Sequence, residues 1–223
     1  GSEMCIRDSL QYTTKTEIRQ YFGVKTVDFP GGFRYDKNDI QNRQEFTTMQ
    51  TISLPVLEAG EYAGGIWYYE PHTYQSYRYV LGRVGKHPLV CIGINPSTAQ
   101  PGALDPTLKS VERLAAANGF DSWIMFNVYP QRATDPNDMD RVPDRALCDE
   151  NLRWLRAVLA ETEPTMWAAW GTLIEKRDYL PGLMREMVAL TRERDIPWVT
   201  FGKRSKKGHP HHPLYLRKDS TPE

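Results

Sequence analysis

The run Leu89-Val90-Cys91-Ile92-Gly93-Ile94 is apolar without alternation, carries β-branched residues and stops at Asn95-Pro96. Such a run suits a strand buried on both faces, which is the pattern of a parallel sheet covered by helices. It recurs at Trp123–Tyr129, ended by Pro130, at Thr165–Trp170, ended by Gly171, and at Trp198–Phe201. Helical patterns separate the runs. Asp105-Pro106-Thr107 opens the first, with Asp105 as N-cap and Pro106 in the first turn. Leu108, Val111, Leu114 and Ala115 fall on one stripe, and Asn118-Gly119 ends it. Asp144–Leu159 and Leu183–Arg194 supply two more helices. This alternation predicts an α/β fold, a three-layer αβα arrangement with a central, mainly parallel four-stranded sheet.

The domain this predicts spans 84–218, followed by a short tail at 219–223. Residues 10–83 read differently, with Gly31-Gly32, Gly64-Gly65, many aromatics and a strand-like alternation at Tyr77–Leu81. They are expected to form an irregular, partly β N-terminal extension packed on the core. Residues 1–9 are set aside as a tag or adapter-like artefact, because Gly1-Ser2 looks like an expression scar and Glu3–Ser9 like translated adapter. The chain's 223 residues suit one sizeable core.

Net charge is zero, but it is unevenly spread. Between Arg192 and Lys218, eight Lys/Arg stand against Glu193 and Asp195, whereas the preceding 191 residues carry a net −4. A basic segment on a mildly acidic body fits phosphate contacts, or simply a solvated charged tail. No apolar run approaches the length of a membrane helix. Cys5, Cys91 and Cys148 are scattered, which argues against a disulfide framework or a zinc site and fits a cytoplasmic setting. The His-rich run at 209–212 lacks an accompanying Cys or carboxylate set, so no metal and no cofactor is expected.

Ligands of open parallel sheets bind beyond the carboxyl ends of the strands. Asn95-Pro96-Ser97-Thr98, Asn127, Trp170-Gly171 and the loop after Phe201 all fall there. Each also has a structural reading: Asn95 as a turn cap, Asn127 satisfying backbone groups, Trp170 as core, Asp105 as a helix cap.

As an ordered set they resemble a known superfamily. Gly93-Ile94-Asn95-Pro96 is similar to the first motif of the mismatch-specific branch of the uracil-DNA glycosylases. His212-Pro213-Leu214 resembles their second motif, and Phe126-Asn127 their base-reading asparagine. Together with Arg83-Val84-Gly85, Asp105-Pro106-Thr107 and Ala169-Trp170-Gly171, they resemble an uncharacterised bacterial and phage family that reads as a distant member of this superfamily. The likeness covers about residues 77–216. Asp105 has no simple counterpart in the mismatch-specific branch, and the repeated His-Pro leaves the alignment of the second motif open.

The resemblance implies a monofunctional DNA glycosylase that flips a uracil or modified pyrimidine, a hypermodified phage base included, out of DNA. It implies a part in repair or anti-phage defence. His212 or His209 would donate to the departing base, where negative charge develops, and Asn95 or Asp105 would act on the attacking water. Ile94, Pro96, Ser97, Asn127, Tyr129 and Trp170 would line the base pocket. Lys203, Arg204, Lys206 and Lys207 would hold DNA phosphates, with Leu214 or Tyr215 wedged into the duplex. DNA is the expected partner, with no membrane and no obligate protein partner. Two other readings keep the fold: a nucleotide- or base-binding protein that excises nothing, and an enzyme of free nucleotides with phosphate on the Asn-Pro-Ser-Thr turn.

Overall fold

A computed structural model describes residues 53–223; the expectations for residues 1–9 and for Gly31-Gly32 lie outside the described residues. Among the described residues seven strands and three α-helices follow in order: β1 (Ala59–Tyr62), β2 (Gly65–Glu70), β3 (Val80–Arg83), β4 (Pro88–Gly93), α1 (Pro106–Ala117), β5 (Ser122–Asn127), α2 (Arg145–Glu161), β6 (Thr165–Ala168), α3 (Leu180–Arg192) and β7 (Trp198–Val199). They form one mixed sheet in the order β1-β2-β3-β5-β4-β6-β7.

The four runs read from the sequence are its parallel half, β5-β4-β6-β7. The expected four-stranded sheet is corrected to seven strands. β1, β2 and β3 pair antiparallel with one another, and β3 pairs antiparallel with β5 through Leu81 opposite Met125 and Gly82 opposite Ile124. The outer edge of β5 offers unpaired backbone groups, and the stretch read as an extension supplies the strand that satisfies them.

Strand residues alternate between two cores. Leu89, Cys91, Met125, Trp167 and Val199 face α1, where Leu108, Val111 and Leu114 pack. Val90, Ile92, Phe126, Met166, Ala168 and Trp198 face α2 and α3. The layers are therefore α/β/α. The helix starts have local causes. Asp105 accepts from Leu108 N–H at 2.9 Å ahead of Pro106, and Asp144 accepts from the N–H groups of Ala146 and Leu147. α3 begins at Leu180, three residues before the apolar stripe suggests, because Pro181 in its first turn needs no N–H partner. At the other end Thr200 and Glu223 exchange two backbone hydrogen bonds, so the last residues lie along the sheet edge.

This order places a switch point. From β4 the chain passes through α1 to β5 on one side; from β6 it passes through α3 to β7 on the other. The connections diverge between the carboxyl ends of β4 and β6, where such sheets open a crevice. Among the described residues no helix is long and apolar enough to cross a membrane.

Candidate functional site

The residues after β4 and β6 and the His-rich loop lie at this switch point. Gly171 follows Trp170 with φ +61°, and a Cβ there would stand 3.6 Å from the Cβ of His212. The 3-10 turn Pro213–Tyr215 that His212 opens packs on α1. His212 accepts from Leu214 N–H at Nδ1, at 3.4 Å, so the neutral ring carries its proton on Nε2. Burial holds the pKa of this imidazole below its ordinary value, partly offset by Asp105, whose carboxylate lies within electrostatic reach. A neutral ring with a fixed N–H suits an acceptor that becomes anionic.

Asn127 closes β5, level with Gly93 of β4. It is 0% exposed, and among the described residues neither its amide nitrogen nor its amide oxygen has a hydrogen-bond partner. Its side chain lies on the α1 side against Gly93: a Cβ at that glycine would come within 3.0 Å of Asn127 Oδ1 and 2.5 Å of Met125 Cε. The missing Cβ leaves the space that the amide occupies. Gly93→Ala is therefore expected to displace the Asn127 amide while costing about 1–3 kcal/mol of stability through overpacking. Thermal melting beside a binding or turnover assay checks this; a fall in function no larger than the fall in folded fraction would argue against it.

Asn95 donates through Nδ2 to the carbonyls of Ala133, at 2.6 Å, and Pro96, at 3.1 Å. The Pro96 carbonyl also accepts from Ala133 N–H, and Ser97 Oγ meets Thr134 Oγ1 at 3.2 Å. The turn after β4 is thus tied to the segment after β5. Ile94, Tyr129 and Trp170 do not join Asn127. All three side chains sit in the core on the α2/α3 side. There Tyr129 Oη donates to Asp140 and accepts from Asp144 N–H, and Trp170 packs edge-on against Trp198. His209 is engaged elsewhere too: its Nε2 meets Glu175 at 2.9 Å, and Lys207 pairs with the same carboxylate. Lys203, Arg204 and Lys206 are exposed around a tight turn held by Ser205, and beyond it Leu214 and Tyr215 are 44% and 76% exposed.

Two residues join the site that the sequence did not single out. Arg78 is 1% exposed, donates from Nη1 to the Ala99 carbonyl at 3.2 Å and has an unpartnered Nε. Burial, then neighbouring Arg132, lowers its pKa to about 9, against the pull of Asp105. Arg132 donates to the carbonyls of Ser97 and Ala99 and to Tyr69 Oη, under the ring of Tyr74. The only signal in the sequence is a charge inside an aromatic run at Tyr77–Leu81.

A protein-family profile described as "Protein of unknown function (DUF1643)" matches residues 78–214, more than half of the chain. The chain belongs to this family. No curated protein and no solved structure matches it. The DUF1643 span opens at Arg78 and closes at Leu214, so it takes in Arg78, Asn95, Asp105, Asn127, Arg132 and His212, and leaves out β1 and β2.

Proposed function

We propose that this DUF1643 protein is a cytoplasmic, monofunctional DNA glycosylase that flips a uracil or a modified pyrimidine out of DNA and hydrolyses its N-glycosidic bond. The observation that carries the reading is the Asn127 amide, a donor and an acceptor fixed on a strand end, fully buried and without a partner among the described residues. A buried amide in that state costs stability unless a ligand uses it, and one donor beside one acceptor matches the hydrogen-bonding edge of a pyrimidine. The uracil-DNA glycosylase resemblance assigns the same role to this residue.

The other groups fit around it. Water adds at the sugar C1′ as the bond to the base breaks, and the electron pair leaves with the base. His212 Nε2–H stabilises the developing base anion in a site that excludes bulk water. Asn95, with Nδ2 tied to two carbonyls, turns its oxygen to the water, and Asp105 takes the water's proton. Leu214 and Tyr215 enter the vacated position in the duplex, and Lys203, Arg204, Lys206 and Lys207 lie along the phosphates. Repair or defence against modified phage DNA follows from which base is released.

The test is direct. Duplex and single-stranded oligonucleotides carrying uracil, hydroxymethylcytosine or glucosylated hydroxymethylcytosine are incubated with the protein, and alkali-labile abasic sites and free base are measured. Release of one of these bases, lost in Asn95→Ala, is the expected outcome. DNA binding without an abasic product on any substrate would sink the catalytic reading.

A further inference from the structure

We propose that the turn Ser97–Ala99, backed by Arg78 and Arg132, is a binding site for a phosphate group, distinct from the base-reading amide of Asn127. The turn is pinned through its carbonyls. Pro96 C=O accepts from Ala133 N–H and Asn95 Nδ2; Ser97 C=O accepts from Arg132; Ala99 C=O accepts from both Arg78 and Arg132, each at 3.2 Å. In a trans peptide the N–H of the next residue points opposite to the carbonyl. The N–H of Thr98 is therefore turned away from Arg132 and that of Ser97 away from Ala133 and Asn95 Nδ2, and no described hydrogen bond uses either. Thr98 and Thr134 are exposed and Ser97 is half-buried, and the Ser97 and Thr134 hydroxyls meet at 3.2 Å beside these two free amides.

Charge decides what belongs there. Two guanidinium groups converge on a single carbonyl oxygen, and neither forms an ion pair among the described residues, Asp105 acting on Arg78 only from beyond ion-pair distance. Both Nε atoms are buried without a partner among the described residues. Adjacent cations held out of water are costly unless an anion compensates them. Consecutive amides backed by positive charge form the kind of concavity that takes phosphate. A permanently charged group meets this need better than a base that is anionic only in passing.

The glycosylase reading enters only in naming the source, a phosphodiester beside the flipped nucleotide; a free nucleotide would present the same chemistry. Arg132 is the residue to change, since it is half-buried while Arg78 is enclosed and its loss risks the fold. Arg132→Gln and Arg132→Lys, with melting checked, are titrated with duplex DNA carrying a tetrahydrofuran abasic analogue and, separately, with a pyrimidine 5′-mononucleotide. Arg132→Gln is expected to weaken DNA binding by roughly tenfold or more and to lower the slope of log affinity against log salt by about one. Arg132→Lys should recover part of both. One neutral methylphosphonate, stepped through the strand, should reproduce the loss at a single linkage and make Arg132→Gln silent there. Mononucleotide binding with the same Arg132 dependence, in a protein that ignores DNA, would keep the site and remove the glycosylase reading. Equal losses at every linkage, or no dependence on Arg132 with either probe, would overturn the site.

Discussion

Replacing Asn127 by leucine is expected to raise the melting temperature of the protein and to abolish base release. The two side chains share one branching pattern, so leucine can follow the same path in the α1-side core, with its two methyls filling somewhat more volume than the amide against Gly93. What changes most is polarity. Asn127 buries a donor and an acceptor that none of the described residues satisfies, and an unsatisfied buried polar group costs about 1–3 kcal/mol. Removing it returns that amount, and in a domain of this size each kcal/mol moves the melting temperature by roughly 2–4 °C. Under the glycosylase reading the same change removes the contacts to the pyrimidine edge, leaving the base's polar atoms facing hydrocarbon. Stability and activity then move in opposite directions, as expected of a residue kept for function. A lower melting temperature for Asn127→Leu would mean that the amide is partnered in the free protein, and the case for a base-reading group would lose its main support.

The position of Asn127 was legible before any coordinates, and the reason is physical. A polar residue that closes an apolar strand in a parallel sheet can only lie at the carboxyl edge, where ligands bind. Asn95 and the Asp105 cap were readable on the same grounds, from Asn-Pro after a strand and Asp-Pro before a helix. The facing of Tyr129 was not. Continued alternation from Asn127 would put Tyr129 on the α1 side, but the strand ends at Asn127. The next two amides bond the carbonyls of Gly93 and Ile94, which carries both Val128 and Tyr129 to the α2/α3 side. Trp170 shares that side with Met166 and Ala168 by simple parity, so only the identity of the pocket face was missing. Of the three antiparallel strands, β3 showed in part as the alternation at Tyr77–Leu81, whereas β1 and β2 did not, because aromatic residues on a half-exposed hairpin do not produce the uninterrupted apolar run that marks the parallel four. Arg78 and Arg132 lie far apart in sequence and meet through one shared carbonyl, Ala99. No local pattern encodes such a contact.

His212→Gln should lower the rate of base release by about 10²–10³-fold, in the range found for losing one preorganised donor to a developing anion. His209→Ala should leave the rate within a few-fold of the parent. The two histidines are three residues apart and equivalent on paper. The structure separates them: His209 is tied to Glu175 beside Lys207, while His212 is partly enclosed against Gly171 and α1, with Nδ1 accepting and Nε2–H left to donate. Because the donor matters most as the base becomes anionic, the loss belongs in kcat, with KM little changed. Burial also fixes the pH dependence. The folded-state pKa of His212 lies below the ordinary 6.5, so folding favours the neutral ring. The associated stability is fully present above pH 6.5 and is lost as pH falls through the folded-state value. Protonation over that range would also set a proton on Nδ1 against Leu214 N–H, opening the turn that aims the ring. Base release by the parent should therefore fall on the acid side together with stability, and in His212→Gln this shared acid limb should disappear. A parent enzyme whose acid limb survives unchanged in His212→Gln, or a His209→Ala variant as slow as His212→Gln, would reassign the donor to another group.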